Sequence, residues 1–242
     1  MEEKKTQWIE YAETPEEVGV NSKIVKEFLE KSMELKKEVH SLCLIRHGKI
    51  ACEVYREPFG REHKHAMYSV SKSFTSTAIG FAVEEGYLTV DTRFVDIFPE
   101  ARGDKPDESL EELTVEDLLT MRSGKNVSIF LDRTKDRWFK DIMDSPWISE
   151  PGTEFLYISE NMYLLCCIIH KLTGMSVIEY LTPRLFEPLG IEEPFWETCP
   201  RGIEAGGWGM MISTEDLAKF TYCYQQMGKF AGKQVIPENW VK

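Results

Sequence analysis

The sequence has no long uncharged hydrophobic run and no run of basic residues. A transmembrane helix needs roughly 20 consecutive apolar residues, and no segment approaches that length. The 242 residues carry 29 Lys and Arg against 41 Asp and Glu, which gives a formal net charge of −12. Nucleic acids and anionic membranes attract basic surfaces, so we expect neither as a partner.

A secretory signal is also missing from the first residues, Met-Glu-Glu-Lys-Lys-Thr-Gln-Trp. They contain neither an apolar stretch nor a small-residue cleavage site. We therefore expect a cytoplasmic protein, or one from which such a signal has been removed.

The six cysteines show no Cys-x-x-Cys spacing, and two of them are adjacent: Cys43, Cys52, Cys166, Cys167, Cys199 and Cys223. A chain of this length can bury a sizeable core without disulfides. We expect buried free thiols rather than disulfides.

A metal site has little support in the sequence. His63 and His65 would share one face of a strand, as metal ligands can, but no third ligand lies nearby with suitable spacing. We expect a solvated loop there, and neither a metal nor a cofactor.

Hydrophobic periodicity and capping residues predict one hairpin followed by helices. The predicted strands are 41–46 and 50–55, and the predicted helices are 22–37, 69–85, 114–120, 133–144, 159–172, 176–185 and 213–228. No β-α-β alternation is present. The pattern indicates an α+β protein with a small sheet and a helical lobe.

A serine and a lysine lie one helical turn apart where the predicted helix 69–85 begins, in Ser69-Val70-Ser71-Lys72. A serine hydroxyl becomes a good nucleophile when a neighbouring base takes its proton, and a neutral lysine can be that base. Two polar residues near a helix start would look the same, so the motif alone does not decide the function.

Further signatures follow in order. They are Leu-Leu-Thr-Met-Arg-Ser-Gly at 118–124, Pro-Gly-Thr-Glu-Phe-Leu-Tyr-Ile-Ser at 151–159, Glu-Pro-Leu-Gly at 187–190, Gly-Gly-Trp-Gly-Met at 206–210 and Ser-Thr-Glu-Asp-Leu-Ala-Lys-Phe at 213–220. With the Ser-x-x-Lys motif, this succession resembles the serine hydrolases related to class C β-lactamases, especially the clade of 6-aminohexanoate-dimer hydrolases and esterases.

The resemblance implies a β-lactamase/transpeptidase-like α+β fold, with an antiparallel sheet flanked by helices and a mainly helical lobe. Residues 1–86 would form the N-terminal part of the α/β lobe with the nucleophile helix. Residues 87–242 would form the helical lobe that carries the tyrosine motif.

The resemblance also implies the roles of the site residues. Ser69 is the expected nucleophile, and Lys72 and Tyr157 are the expected proton-transfer groups, with the choice of base between them left open. Ser159 occupies the place of an asparagine in lactamases, so it lacks the amide's donor and acceptor pair. We expect Ser159 and Trp208 to bind substrate, although a tryptophan in the core is the alternative for Trp208.

A third motif of the family, Lys-Thr-Gly or a substitute, lies on a late strand that also supplies an oxyanion-hole amide. The 242 residues end before such a motif. We therefore expect an incomplete sheet with a bare edge at strands 41–46 and 50–55. The chain would then self-associate or require a C-terminal fragment.

These features together predict a serine hydrolase that acts on an ester or amide bond of a small molecule through an acyl-enzyme at Ser69. Ser159 in place of asparagine favours simple esters or amides over β-lactams. The alternative is a catalytically impaired or non-catalytic binding protein, or a fragment, of the same fold.

Overall fold

The structure, a computed structural model, describes residues 8–103, 107–128 and 134–242. Its strands are β1 (Glu10–Tyr11), β2 (Ser41–Arg46), β3 (Lys49–Tyr55), β4 (Lys64–Ala66), β5 (Phe195–Trp196), β6 (Met210–Ser213), β7 (Lys229–Phe230) and β8 (Lys233–Gln234). Its α-helices are α1 (Ser22–Glu34), α2 (Ser71–Glu84), α3 (Phe94–Ile97), α4 (Glu108–Glu112), α5 (Val115–Leu119), α6 (Trp138–Met143), α7 (Glu160–Thr173), α8 (Val177–Leu181), α9 (Glu187–Leu189), α10 (Thr214–Gln225) and α11 (Glu238–Val241).

The predicted hairpin forms the first sheet, in the order β1-β3-β2. Strands β2 and β3 are antiparallel, and β1 runs parallel to β3. The hairpin turn uses His47 and Gly48, both with positive φ. Within the described ranges, no strand pairs with the outer edge of β2. The bare edge expected at strand 41–46 is therefore present at β2, whereas the expectation for strand 50–55 is wrong, because β1 pairs with β3.

A second sheet has the order β4-β6-β5 and joins distant parts of the chain. Strand β4 lies just before α2, and its antiparallel partner β6 lies just before α10. The pairing continues beyond β4, because the Met67 N–H donates to the Met210 carbonyl at 2.8 Å. This sheet crosses the expected boundary at residue 86, and the division into two lobes there stays a prediction.

The core is centred on the packing of α2 against α7. Both helices are rich in small or apolar residues, and every residue from Glu160 to Ile169 in α7 is buried. A Cβ atom at Gly80 would lie 2.4 Å from the Trp240 ring. Glycine thus lets α11 approach α2 closely.

Several predicted helix starts are confirmed. The Asn21 side chain accepts from two backbone N–H groups at the start of α1. Thr114 with Asp117, and Ser213 with Asp216, form capping boxes at α5 and α10. Local side-chain chemistry therefore sets these starts.

Some predicted helix bounds are wrong. The helix predicted over 22–37 ends at Glu34, and Lys36 has a φ of 52° that an α-helix cannot continue through. Ser69 lies in a 3-10 turn, Tyr68–Val70, that precedes the α-helix. The helix predicted over 176–185 changes to a π turn at Thr182–Phe186, where Pro183 supplies no N–H.

The helix predicted over 133–144 is shorter in the structure. Residue 133 lies outside the described residues, and α6 covers Trp138–Met143. The Met143 carbonyl, near the end of α6, accepts from the Lys125 ammonium at 3.0 Å.

All six cysteines are free, as predicted, with Cys43 and Cys52 only partly buried and the other four buried. Among the described residues, no single helix is both long enough and apolar enough to cross a membrane. Helices Glu160–Thr173 and Val177–Leu189 meet those criteria only as a pair, and the chain bends by 70° between them.

Candidate active site

Ser69 is exposed at the N-terminal end of α2, where the chain enters the helix through the 3-10 turn. Tyr68, directly before it, has a φ of 44°, an uncommon value for a residue with a side chain. The Ser71 hydroxyl donates to the Tyr68 carbonyl at 2.6 Å and accepts from the Met210 N–H at 3.2 Å. Ser71 therefore connects the turn that contains Ser69 to β6.

The Lys72 amine lies against three oxygen atoms. Its Nζ is 3.1 Å from the Ser69 Oγ, 3.0 Å from the Ser159 Oγ and 2.6 Å from the Gly207 carbonyl oxygen. A charged ammonium has three hydrogens and can donate to all three. A neutral amine can donate to Ser159 and Gly207 while its lone pair accepts from the Ser69 hydroxyl. The same geometry thus serves both protonation states.

Tyr157 completes the group. The Lys72 Nζ lies 4.9 Å from the centre of the Tyr157 ring, and about half of the side chain is exposed. Partial burial favours a higher pKa for the phenol, but hydrogen bonding with Ser69 and Lys72 and the lysine charge outweigh it. The pKa of Tyr157 is consequently lowered from its usual value.

The Gly206-Gly207 segment passes directly over the first turn of α7. A Cβ atom at Gly206 would lie 2.5 Å from the Met162 carbonyl oxygen, and one at Gly207 would lie 2.6 Å from the Ser159 Cβ. Contacts this short exclude any side chain at either position. The two glycines therefore allow the Gly207 carbonyl to reach Lys72.

Trp208 lies mostly in the core, with 9% of its surface exposed. Its indole N–H donates to Glu197 at 3.2 Å, and its ring packs 5.7 Å from that of Trp138. The carbonyl of Trp208 accepts from the Trp196 indole at 2.8 Å. Contact of this side chain with substrate stays a prediction. Ser159, in contrast, faces Lys72 directly.

Two site neighbours were missed from the sequence, Thr75 and the Gly207 carbonyl. Thr75 follows Lys72 by one turn, as Lys72 follows Ser69, so helical spacing was a usable signal. A backbone carbonyl has no side-chain signature, and only the Gly-Gly pair indicated a close approach there.

An open cavity lies beside Lys72 between α2, α7 and α10. Its volume is about 490 Å³, and apolar side chains form much of its lining, including Leu119, Met121, Met162 and Phe220. An amine and an apolar hollow are therefore adjacent in this region.

The described residues contain no group of three or more His, Cys, Asp or Glu side chains arranged to hold a metal ion. His65 lies instead beside His40, with their Nδ1 atoms 3.3 Å apart, while His63 accepts from the Gly60 N–H. The histidines thus contact each other and the backbone.

Comparison with known proteins supports one family. The profile of the family described as Beta-lactamase matches residues 25–240. The chain is 24% identical over 215 residues to the 6-aminohexanoate-dimer hydrolase of Paenarthrobacter ureafaciens, covering 82% of this chain and 55% of that protein. It is 26% identical over 151 residues to the lovastatin esterase of Penicillium rubens, covering 52% of this chain and 37% of that protein.

The fold is also similar to that of solved structures. The octameric penicillin-binding protein homologue from Pyrococcus abyssi superimposes with a TM-score of 0.70 at 23% identity, over 91% of this chain and 58% of that one. The chain spans about half the length of the curated relatives that it matches. The α+β, β-lactamase/transpeptidase-like fold that the sequence predicts is confirmed.

Proposed function

Because this chain belongs to the Beta-lactamase family, we propose that it is a serine hydrolase that cleaves an ester or amide bond of a small molecule through an acyl-enzyme on Ser69. The observation that carries this proposal is the position of the Lys72 Nζ, 3.1 Å from the Ser69 Oγ and held by two further acceptors. An amine in that position can take the hydroxyl proton as the oxygen attacks.

The proposed acylation begins with neutral Lys72 hydrogen-bonded to the Ser69 hydroxyl. The serine Oγ forms a bond to the substrate carbonyl carbon, and its proton passes to the Lys72 Nζ. The tetrahedral intermediate then expels the alcohol or amine, which takes that proton from the Lys72 ammonium, directly or through Tyr157, as its bond to the carbonyl carbon breaks. In the second half-reaction the same base takes a proton from the water that attacks the acyl carbon, and this proton returns to the Ser69 Oγ as the acyl–oxygen bond breaks and the acid leaves.

Tyr157 is the second proton-transfer group in this proposal. Its phenol interacts with both Ser69 and Lys72, and those contacts lower its pKa. A phenol with a lowered pKa can donate to the leaving group, and its phenolate form can accept the serine proton. The base in acylation is therefore either Lys72 or Tyr157, and exchanging the lysine and the tyrosine separately for non-titrating residues distinguishes them.

Simple esters and amides are the proposed substrates. Ser159 presents a hydroxyl to Lys72 in place of a lactamase amide. Among the relatives, one is named a 6-aminohexanoate-dimer hydrolase and another a lovastatin esterase. The apolar hollow beside Lys72 suits an uncharged substituent on the substrate. A panel of p-nitrophenyl esters, anilides and nitrocefin tests this order of preference.

Labelling with a fluorophosphonate tests the nucleophile. We expect the probe to label the wild type on Ser69 and to leave Ser69→Ala unlabelled. Ser73→Ala is the matched control, because Ser73 is an exposed serine on the same helix. Equal labelling of wild type and Ser69→Ala contradicts the proposal.

A second candidate is a binding protein of the same fold without turnover. A Ser69-dependent burst with p-nitrophenyl acetate would exclude this candidate.

We propose in addition that the edge of β2 is covered by another strand. The edge carries unpaired backbone groups among the described residues, and such an edge is a template for strand addition. For this chain alone the partner is a second copy, and a C-terminal fragment is the alternative.

A further inference from the structure

Thr75 lies one turn after Lys72 on α2, and the two side chains bind consecutive carbonyl groups. The Thr75 Oγ1 donates to the Gly206 carbonyl at 2.9 Å, and the Lys72 Nζ donates to the Gly207 carbonyl at 2.6 Å. Thr75 is fully buried, whereas Lys72 is partly accessible at the site. Helix α2 therefore holds the Gly206–Gly207 segment at two points, through the buried Thr75 hydroxyl and through the Lys72 amine at the site.

The segment is confined on its other side by α7. The Met162 carbonyl lies against Gly206, and Ser159 lies against Gly207. The Gly207 N–H donates to the Ala205 carbonyl at 2.7 Å, which tightens the turn. The Gly206 carbonyl accepts a hydrogen bond from the Thr75 hydroxyl. The orientation of the Gly206–Gly207 peptide plane therefore depends on that hydroxyl.

We propose that Thr75 is a positioning residue, whose hydroxyl fixes the Gly206–Gly207 peptide so that the Gly207 carbonyl directs the Lys72 amine toward Ser69. The part of this inference that concerns acylation depends on the proposed function. The part that concerns the placement of Lys72 depends on the contacts alone.

A merely structural role is the competing explanation. Thr75 also lies 3.8 Å from the Cys166 Sγ, so its loss would disturb the α2–α7 contact. Thr77 provides the matched comparison, because it is an equally buried threonine on the same helix. Its hydroxyl contacts the Ser73 carbonyl at 2.7 Å and the Tyr224 hydroxyl at 2.6 Å, and neither is a partner of Lys72.

The first measurement needs no turnover. Tyrosine labelled with carbon-13 at Cζ reports the titration of Tyr157 by NMR, and Lys72 contributes to the lowered pKa of that phenol. We expect Thr75→Val to move the Tyr157 midpoint upward, toward the usual value, because Lys72 loses its fixed position. Thr77→Val and Thr75→Ser should leave the midpoint unchanged.

The second measurement is the rate of acylation divided by the concentration of active sites. Titration with the fluorophosphonate gives that concentration. Thr75→Val removes the hydrogen bond to the Gly206 carbonyl that supports the position of Lys72. We therefore expect this variant to be acylated roughly five- to tenfold more slowly than the wild type, with KM unchanged. Thr75→Ser should restore the rate. Thr77→Val should lower the melting temperature without slowing acylation.

Thr75→Ala and Thr75→Ser give a second pair that differs in the hydroxyl alone, should Thr75→Val fail to fold. Identical Tyr157 midpoints in that pair would overturn the inference. An unlabelled wild type would instead refute the proposed function, while the Tyr157 titration would still decide the role of Thr75.

Discussion

The helices around α2 and α7 differ sharply from the N-terminal sheet and its helix α1. Ten consecutive residues of α7, Glu160 to Ile169, are buried. Helix α1 buries only Ser32, although its sequence is strongly amphipathic, and Phe28 on its apolar side is 50% exposed. An amphipathic helix usually packs its apolar face against a core. The first region is closely packed, and the second presents surfaces that nothing in the described residues covers.

The candidate site and the unpaired sheet edge therefore belong to different regions of the molecule. Ser69 and Lys72 belong to α2 and its entry turn, and Ser159 directly precedes α7. The Gly207 carbonyl lies over the first turn of α7. The contacts that place the candidate proton-transfer groups are therefore internal to the packed region. The bare edge of β2 bears on association and on stability.

The largest expected effect comes from deleting the amine at the site. Lys72→Met should slow acylation by about 10³, the usual contribution of a positioned proton-transfer group. Stopped-flow burst kinetics with p-nitrophenyl acetate measures the rate. The matched control is Lys49→Met in β3, where the lysine pairs with Glu17 at 2.6 Å and no site residue is near in sequence. Similar losses of acylation rate in Lys72→Met and Lys49→Met would contradict the assignment of the chemistry to the packed region.

Core truncation should distinguish the same two regions in stability. Leu165→Ala in α7 should lower the free energy of unfolding by about 3 kcal/mol, because the side chain is fully buried and leaves a cavity. Phe28→Ala in α1 should cost less than about 1 kcal/mol, since half of that ring already faces solvent. Urea unfolding of both variants measures the two costs. Equal costs would mean that α1 is packed in solution.

A charge on the free edge tests whether that edge associates. We expect light scattering to detect self-association of the purified chain, and Leu44→Lys in β2 to weaken it about tenfold, since edge lysines oppose strand pairing. Met175→Lys, at a partly exposed position beyond α7, is the control with the same added charge. A cooperatively unfolding monomer with no added partner would refute the expectation of an open edge.

The smallest expected effect concerns a buried lysine of the packed region. The Lys125 ammonium donates to the Met143 and Ser145 carbonyls and lies 3.8 Å from the centre of the Trp147 ring. Burial lowers the pKa of Lys125 from 10.5 to about 8. Between these values the unfolded chain binds a proton that the folded chain does not, so this group makes the free energy of unfolding rise with pH.

Comparison with Lys125→Met isolates that contribution. Between pH 7 and pH 9 the stability of the wild type relative to the variant should increase by about 1 kcal/mol. Urea unfolding at each pH provides the measurement. A relative stability that falls over this interval would show that the folded protein raises the pKa of Lys125.

The Ser69–Lys72 pair at the start of α2 can be predicted from the sequence because its signals are local. The spacing of Ser69 and Lys72 follows from helical geometry, and the capping residue Ser213 contacts its own helix start. The bare edge of β2 was predicted from the resemblance, by counting the strands that the chain contains.

The remaining features depend on contacts between distant residues. The Gly207 carbonyl reaches Lys72 across 135 positions of sequence, and a carbonyl leaves no residue-type signature. The indole of Trp208 contacts Glu197 and the ring of Trp138, while its expected role in binding substrate stays a prediction. The end of α1 depends on a backbone turn at Lys36 that propensity does not indicate.

The central claim is that the packed region contains a nucleophile and its proton-transfer groups for acyl transfer. Rapid quenching with p-nitrophenyl acetate, followed by mass spectrometry of the proteolysed chain, tests it most directly. The account predicts one acetyl group on the peptide that contains Ser69, formed more slowly in Lys72→Met and in Tyr157→Phe. An acetyl group on another residue, or none at Ser69 in the wild type, would contradict it.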